Sequence, residues 1–214
     1  MHSTYIFDFD GTLVDSMPYW AQKVLNILDD CGVRYPSDII KIVTPLGDRG
    51  TAEYMRDTLG VPLPLEEIFR QMDEFALVKY RDVIEIKEGV REYLARLRAA
   101  GCTLHVLTAS PHKMVDPCLA RLGILDWFDN VWSTDDFGMV KSDTAIYRAA
   151  VEKIGVDVCD AVFFDDNLTA VQTAAKAGLC TVGVYDPSSE EYIEAIRGAA
   201  DYYVRTMADL PETI

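Results

Sequence analysis

Residues 5–12 have the sequence YIFDFDGT, in which an apolar run leads into two aspartates and a glycine. The apolar run over residues 5–9 is typical of a buried β-strand, and the glycine after it indicates a turn. Asp8 and Asp10 are two positions apart where this strand ends, so we expect their carboxylates on the same side of the sheet. Ligands of open α/β sheets bind beyond the carboxyl ends of the strands, which makes this turn the first candidate site.

Further strands and helices follow in alternation. Apolar runs rich in β-branched and aromatic residues predict strands at residues 103–107, 131–133, 161–164, 181–185 and 202–204. Helical patterns lie between several of them, at residues 90–101, 142–154 and 168–177. We expect the last two helices to be capped by Ser142 and Asn167. This alternation predicts an α/β fold, a Rossmann-like parallel sheet flanked by helices.

Residues 17–83 interrupt the alternation. Residues 19–28 and 65–80 have helical patterns, and the proline-rich pieces around them indicate connections. We therefore expect two domains: an α/β core domain from residues 1–16 and 84–214, and an α-helical cap domain inserted at residues 17–83.

Composition excludes several classes of partner. The 35 acidic and 20 basic residues give a formal net charge of −15, which repels nucleic acid and anionic membrane surfaces. Five widely spaced cysteines without a C-x-x-C pair argue against a disulfide framework and a structural zinc site. With no signal-peptide pattern at the start and no long apolar run, a cytoplasmic protein is expected. The sequence does not distinguish a monomer from a homodimer.

A second acidic pair, Asp165-Asp166, follows the apolar run at residues 162–164. Any one of these aspartates alone is more simply explained as a turn former or a helix cap. Two pairs on two core strands are different, because four carboxylates at one sheet edge repel one another unless a cation neutralises them. Oxygen ligands of this kind suit Mg²⁺.

Two other polar residues indicate a functional site only through their positions relative to the two acidic pairs. Thr108 follows the run at residues 104–107, and Lys141 precedes the helix predicted from residue 142. Alone, the threonine indicates turn chemistry and the lysine a solvated surface charge. Arg49 is a further candidate contact for a substrate anion, with a solvent-facing loop position as an equal alternative.

Together these positions resemble the four motifs of the haloacid dehalogenase-like hydrolases. The motifs are matched here by Asp8-Phe9-Asp10-Gly11-Thr12, Val106-Leu107-Thr108, Lys141 and Phe164-Asp165-Asp166. The helical insertion is similar to the branch that holds phosphoglycolate phosphatase and β-phosphoglucomutase. The resemblance implies a Mg²⁺-dependent phosphatase that hydrolyses a small phosphorylated metabolite through an aspartyl-phosphate.

The resemblance also implies roles for individual residues. Asp8 would be the nucleophile, and Asp10 would protonate the leaving alcohol and then deprotonate the attacking water. Lys141 would offset negative charge at the transferring group. Thr108 would be a further catalytic residue, whose hydroxyl binds phosphoryl oxygens together with the amide of Ala109, and Gly11 and Thr12 would contribute to substrate binding. Metal binding is implied for Asp8, the backbone carbonyl of Asp10 and Asp166, and for Asp165 directly or through water.

Single residues of this sequence distinguish between the reactions that members of this family catalyse. Dehalogenases and phosphonoacetaldehyde hydrolases of this family lack the second aspartate, so Asp10 favours phosphoryl transfer. A sugar-phosphate mutase resembling β-phosphoglucomutase is the main alternative, weakened because Trp20 stands where those mutases typically have histidine. A non-catalytic phosphate-binding protein is the remaining hypothesis.

Overall fold

The computed structural model describes residues 2–211 and 213–214, with the backbone alone at Pro45. The chain forms two compact units, one from Met1–Ser16 with Ile84–Ile214 and the other from Met17–Val83. We call them the α/β unit and the helical unit. That the helical unit acts as a cap stays a prediction. Among the described residues, no helix is both long and apolar enough to cross a bilayer.

The α/β unit is built on one sheet, formed within residues 2–211 by six parallel strands. The strands are Thr4–Phe7 (β1), Thr103–Thr108 (β2), Asn130–Ser133 (β3), Ala161–Asp165 (β4), Cys180–Val184 (β5) and Tyr202–Val204 (β6). Their order in the sheet is β3-β2-β1-β4-β5-β6. The chain order reverses direction at β1, and the crevice beside such a strand is where α/β sheets bind ligands. The predicted α/β fold class is confirmed.

The α-helices complete both units. They are Met17–Asp30 (α1), Ile39–Val43 (α2), Gly47–Asp57 (α3), Leu65–Asp82 (α4), Val90–Ala99 (α5), His112–Arg121 (α6), Thr144–Ile154 (α7), Leu168–Ala177 (α8) and Ile193–Ala199 (α9). Asn167 caps α8 as predicted, accepting hydrogen bonds from the amides of Thr169 and Ala170. The prediction that Ser142 caps α7 is wrong. The cap is Asp143, which has extended backbone angles and accepts from the amide of Ala145.

Apolar side chains cover both faces of the sheet. On one face, the rings of Phe7 and Phe164 stack with centroids 4.6 Å apart, and Tyr93 of α5 packs against Phe164. Such aromatic pairs contribute about 0.5–1.5 kcal/mol each beyond the area they bury. On the other face, Ile6 and Phe163 pack with the buried sides of α7 and α8. This two-sided core fixes β1 and β4 as neighbours and so places the residues that follow them side by side.

The helical unit has its own apolar core. Each of its longer helices buries one stripe, represented by Val24 and Leu28 of α1, Met55 of α3 and Ile68 of α4. Lys23 of α1 is 6% exposed, and its ammonium pairs with Asp48 of α3 at 2.6 Å. The unit is therefore a folded body with its own core and internal ion pairing.

Candidate active site

Three buried aspartates meet at the carboxyl ends of β1 and β4. Asp8 follows β1, Asp165 ends β4 and Asp166 comes next, and each is at most 6% exposed. One carboxylate oxygen from each lies within 4.8 Å of the others. The amide of Asp8 donates to the carbonyl of Phe164 at 2.8 Å, which ties the end of β1 to the end of β4. Register between two parallel strands thus brings the carboxylates together.

Lys141 is the positive charge of this cluster. Its ammonium donates to Asp8 Oδ1 and, at 2.9 Å, to Asp165 Oδ2, and its side chain is 14% exposed. Burial lowers the pKa of Lys141, but the charges of Asp165 and Asp8 outweigh that effect and leave the pKa above its usual value. The lysine is therefore protonated at neutral pH.

The pKa values of two carboxyl groups are raised as well, which in their case favours the neutral form. Burial raises the pKa of Asp8 to about 8; Lys141 opposes this shift, and the charges of Asp165 and Asp10 add to it. Burial also raises the pKa of Asp166 well above its ordinary value. A bound divalent cation favours the ionised forms of both groups, because it compensates the desolvation and the mutual repulsion. The protein alone thus forms a site that is short of positive charge.

Asp10 is held by two serine hydroxyls. Ser16 donates to its Oδ1 at 2.6 Å, and Ser110 donates to its Oδ2 at 2.5 Å. The bond from Ser110 to Asp10 links the loop after β2 to the turn after β1. Within that loop, the amide of Ser110 donates to Oγ1 of Thr108 at 3.0 Å. Both oxygens of the Asp10 carboxyl therefore have fixed neighbours, and its orientation is set.

Gly11 and Thr12 bring the turn into contact with Asp166. Thr12 is fully buried, and its hydroxyl donates to Asp166 Oδ1 at 3.4 Å. Gly11 has φ of 76°, and a Cβ at this position would lie 2.7 Å from Asp166 Oδ2. The turn needs glycine for both its conformation and its clearance.

The remaining predicted residues differ in their surroundings. Thr108 ends β2 and is buried, whereas Ala109 is exposed in the loop that follows. Arg49 belongs to α3 of the helical unit, where its side chain is 80% exposed and pairs with Glu53 at 2.9 Å. The α/β unit therefore contains every predicted site residue except Arg49, and the individual roles stay predictions.

The sequence did not single out three residues that support the site. Ser16 and Ser110 orient Asp10, as described above. The hydroxyl of Tyr147 in α7 shares its one hydrogen between the backbone carbonyls of Lys141, at 2.9 Å, and Ala170, at 3.2 Å. Ser110 lies two residues after Thr108, which is the only local signal among the three.

Comparison with known proteins identifies the family. A family model described as haloacid dehalogenase-like hydrolase matches residues 2–178. The chain belongs to this family. A phosphoglycolate phosphatase of Caulobacter vibrioides is 28% identical over 215 residues, which cover 98% of this chain and 90% of that protein. A phosphorylated carbohydrates phosphatase of Thermotoga maritima is 25% identical over 174 residues, which cover 81% of each.

A solved structure agrees with the fold. The crystal structure of CbbY from Rhodobacter sphaeroides in complex with phosphate has a TM-score of 0.81 at 24% identity, covering 98% of this chain and 96% of that chain. The family match and the phosphatase relatives confirm the resemblance to haloacid dehalogenase-like hydrolases and the enzyme class, a phosphoric monoester hydrolase.

Proposed function

We propose that this haloacid dehalogenase-like hydrolase is a Mg²⁺-dependent phosphatase that forms an aspartyl-phosphate on Asp8. The observation that carries the proposal is the buried Asp8 itself, bound by Lys141 and adjoining Asp165 and Asp166. A carboxylate needs no activating base at neutral pH once its charge is balanced, and its acyl phosphate is reactive enough for water to remove.

The acidic cluster has the donors that Mg²⁺ requires. Three carboxylates face one lysine, so the fully ionised cluster has two negative charges in excess. Buried charge of this kind is unfavourable unless it is paired, and hard oxygen ligands favour Mg²⁺. We propose that Asp8, Asp165, Asp166 and the backbone carbonyl of Asp10 hold it. Bound there, Mg²⁺ would screen the nucleophile from the phosphate and polarise the phosphoryl oxygens.

The protein residues then perform two half-reactions. In the first, Asp8 attacks phosphorus in line, the bond from phosphorus to the alcohol oxygen breaks, and Asp10 gives its proton to that oxygen. In the second, Asp10 takes a proton from water, which attacks phosphorus and releases phosphate and the Asp8 carboxylate. The hydroxyls of Ser16 and Ser110 hold Asp10 in place for both steps. The proposal assigns binding of phosphoryl oxygens to Thr108 and the amide of Ala109.

The substrate class follows from charge and from the relatives. A protein with net charge −15 repels phosphorylated substrates over most of its surface, so positive charge at Lys141 and the metal must attract them locally. The relatives named above are phosphatases of phosphoglycolate and of phosphorylated carbohydrates. We propose a small phosphorylated metabolite, with the helical unit as the cap that selects it and the cytoplasm as the location.

The sugar-phosphate mutase remains the second candidate. The indole of Trp20 donates to Asp48 Oδ1 at 3.3 Å, and Lys23 lies 5.3 Å from its ring centroid. An indole N–H is a donor only and cannot take a proton from a sugar hydroxyl. Isomerisation of β-glucose 1-phosphate after priming with a bisphosphate would favour the mutase over the phosphatase.

Removal of the metal is expected to stop the reaction. The enzyme should release phosphate from para-nitrophenyl phosphate when Mg²⁺ is present, and chelation should lower kcat/KM at least about 100-fold because the carboxylates then repel the substrate. Readdition of Mg²⁺ should restore the rate. A chelator-insensitive rate would contradict metal dependence. Tight binding of phosphorylated metabolites without turnover of any of them would favour the non-catalytic protein.

A further inference from the structure

Lys87 connects the turn that carries Asp10 to a distant loop. Its ammonium donates to the backbone carbonyl of Gly11 at 2.5 Å, to that of Tyr185 at 2.8 Å and to Asp186 Oδ2 at 2.9 Å. A lysine ammonium has three hydrogens, so these acceptors use all of them. The turn after β1, the segment before α5 and the loop after β5 therefore meet at one nitrogen atom.

The partner carboxylate holds the ammonium rigidly. The side chain of Asp186 is 1% exposed and that of Lys87 is 16% exposed. The other oxygen of Asp186 accepts from the amide and the hydroxyl of Ser188, at 2.9 and 2.7 Å. Because Asp186 cannot rotate without losing these bonds, it fixes the direction from which Lys87 approaches Gly11.

The position of the Gly11 carbonyl affects the aspartates on both sides of the turn. The Cα of Gly11 faces the carboxylate of Asp166, where even an added Cβ would be too close. Its amide donates to the carbonyl of Val14 at 3.0 Å, and the amide of Lys87 donates to that of Leu13 at 3.0 Å. The Gly11 carbonyl belongs to the peptide group between Gly11 and Thr12. A rotation of that group would move Thr12, whose hydroxyl donates to Asp166, and would shift the Gly11 Cα, which faces the same carboxylate and is joined to Asp10.

Stability alone does not account for this arrangement. A buried ion pair contributes little compared with apolar side chains of the same volume, because desolvation of both charges offsets their attraction. What apolar side chains cannot supply is a donor to the Gly11 carbonyl.

We infer that Lys87 is a positioning residue of this hydrolase, which holds the Gly11 peptide so that Asp10 and Asp166 keep their places. The inference rests on the proposed function of those two aspartates. Lys87 itself touches no reacting group, and it acts through the turn.

The test compares three variants with the wild type. Lys87→Met removes the donors and keeps a stem of similar length, and Lys87 lines a cavity of about 330 Å³ that leaves room for the new side chain. Lys87→Met with Asp186→Asn also removes the carboxylate charge that the first substitution leaves unpaired. Lys176→Met makes the same change at an exposed lysine in the last turn of α8.

The expected result is a kcat for para-nitrophenyl phosphate about 10- to 100-fold lower in Lys87→Met with KM changed less than about threefold, as is usual for residues that orient metal ligands. Lys87→Met should also unfold at a lower urea concentration than the wild type, because Asp186 is left unpaired. In the double variant the urea midpoint of unfolding should return towards that of the wild type, whereas kcat should stay low because the Gly11 carbonyl still has no donor. Lys176→Met should match the wild type. Recovery of kcat together with stability in the double variant would overturn the inference, since Lys87 would then be purely structural.

Calorimetric binding of Mg²⁺ separates this inference from the proposed function. We expect the double variant to bind Mg²⁺ about tenfold more weakly than the wild type. If the wild type binds Mg²⁺ but hydrolyses no phosphate ester, the proposed function fails, and the weaker binding still supports Lys87. Equal Mg²⁺ affinity of the two folded proteins would overturn the inference whatever the activity.

Discussion

Asp8→Asn is expected to abolish phosphate release, with kcat reduced by at least about 10⁴-fold, because the amide cannot form the acyl phosphate. The substitution keeps the shape of the side chain at a position that is 6% exposed. It also removes one of three mutually repelling carboxylates, so the metal-free variant should unfold at no lower urea concentration than the metal-free wild type. Steady-state hydrolysis of para-nitrophenyl phosphate and urea unfolding measure the two effects separately.

Asp160→Asn is the matched control for this variant. Asp160 is exposed and lies in a turn before β4, in the same unit as Asp8. The same change of chemistry there should leave kcat and KM unchanged. Normal turnover by Asp8→Asn would refute the role of Asp8 as the nucleophile.

Lys141→Met is expected to impair both activity and stability. Loss of the ammonium leaves Asp8 and Asp165 without their ion pairs and removes positive charge from the transferring phosphoryl group. We expect kcat to fall about 10²- to 10³-fold. An unpaired buried charge costs about 3–5 kcal/mol of unfolding free energy. Kinetics and urea unfolding of the metal-free protein check both numbers, with Lys176→Met as the control.

The destabilisation by Lys141→Met should depend on pH. The pKa of Asp8 is already raised to about 8, well above the ordinary range of an aspartate, and the loss of Lys141 raises it further. A carboxyl group whose pKa is higher in the folded state stabilises the fold fully below its unfolded pKa and loses that contribution as pH rises through the folded pKa. The variant should therefore be closer to the wild type at pH ~5 than at pH ~8. A larger deficit at the lower pH would contradict this electrostatic explanation.

The sequence was most informative about residues that follow strands. Asp8 and the Asp165-Asp166 pair come directly after apolar runs, and parallel pairing of β1 with β4 brings such residues together. The sequence predicted the end of β1 less accurately. Phe9 is fully buried, so its apolar character extended the predicted strand to residue 9, whereas β1 ends at Phe7.

Ambiguous local sequence explains two further differences between the predicted and the observed helices. Ser142 and Asp143 are both good capping residues, and only the backbone angles determine that Asp143 caps α7. Helix α6 did not stand out in the sequence because Pro117 lies inside it, where proline removes a helical hydrogen bond.

Contacts over long sequence separations could not be predicted. Ser110 is 100 residues from Asp10, and Lys87 is 76 residues from Gly11 and 99 from Asp186. Apart from the position of Ser110 two residues after Thr108, no local pattern distinguishes these residues from ordinary turn serines and surface lysines. They become visible only when the sheet order brings the loops after β1, β2 and β5 to one edge.

Phosphorylation of Asp8 during turnover is the observation that would establish this residue as the nucleophile. The enzyme would be mixed with Mg²⁺ and excess para-nitrophenyl phosphate, quenched in acid within milliseconds, digested and examined by mass spectrometry. We predict one added phosphoryl group on the peptide that contains Asp8, and none on that peptide in Asp8→Asn. Rapid phosphate release with an unmodified Asp8 peptide, or a phosphoryl group on another residue, would show that Asp8 is not the nucleophile.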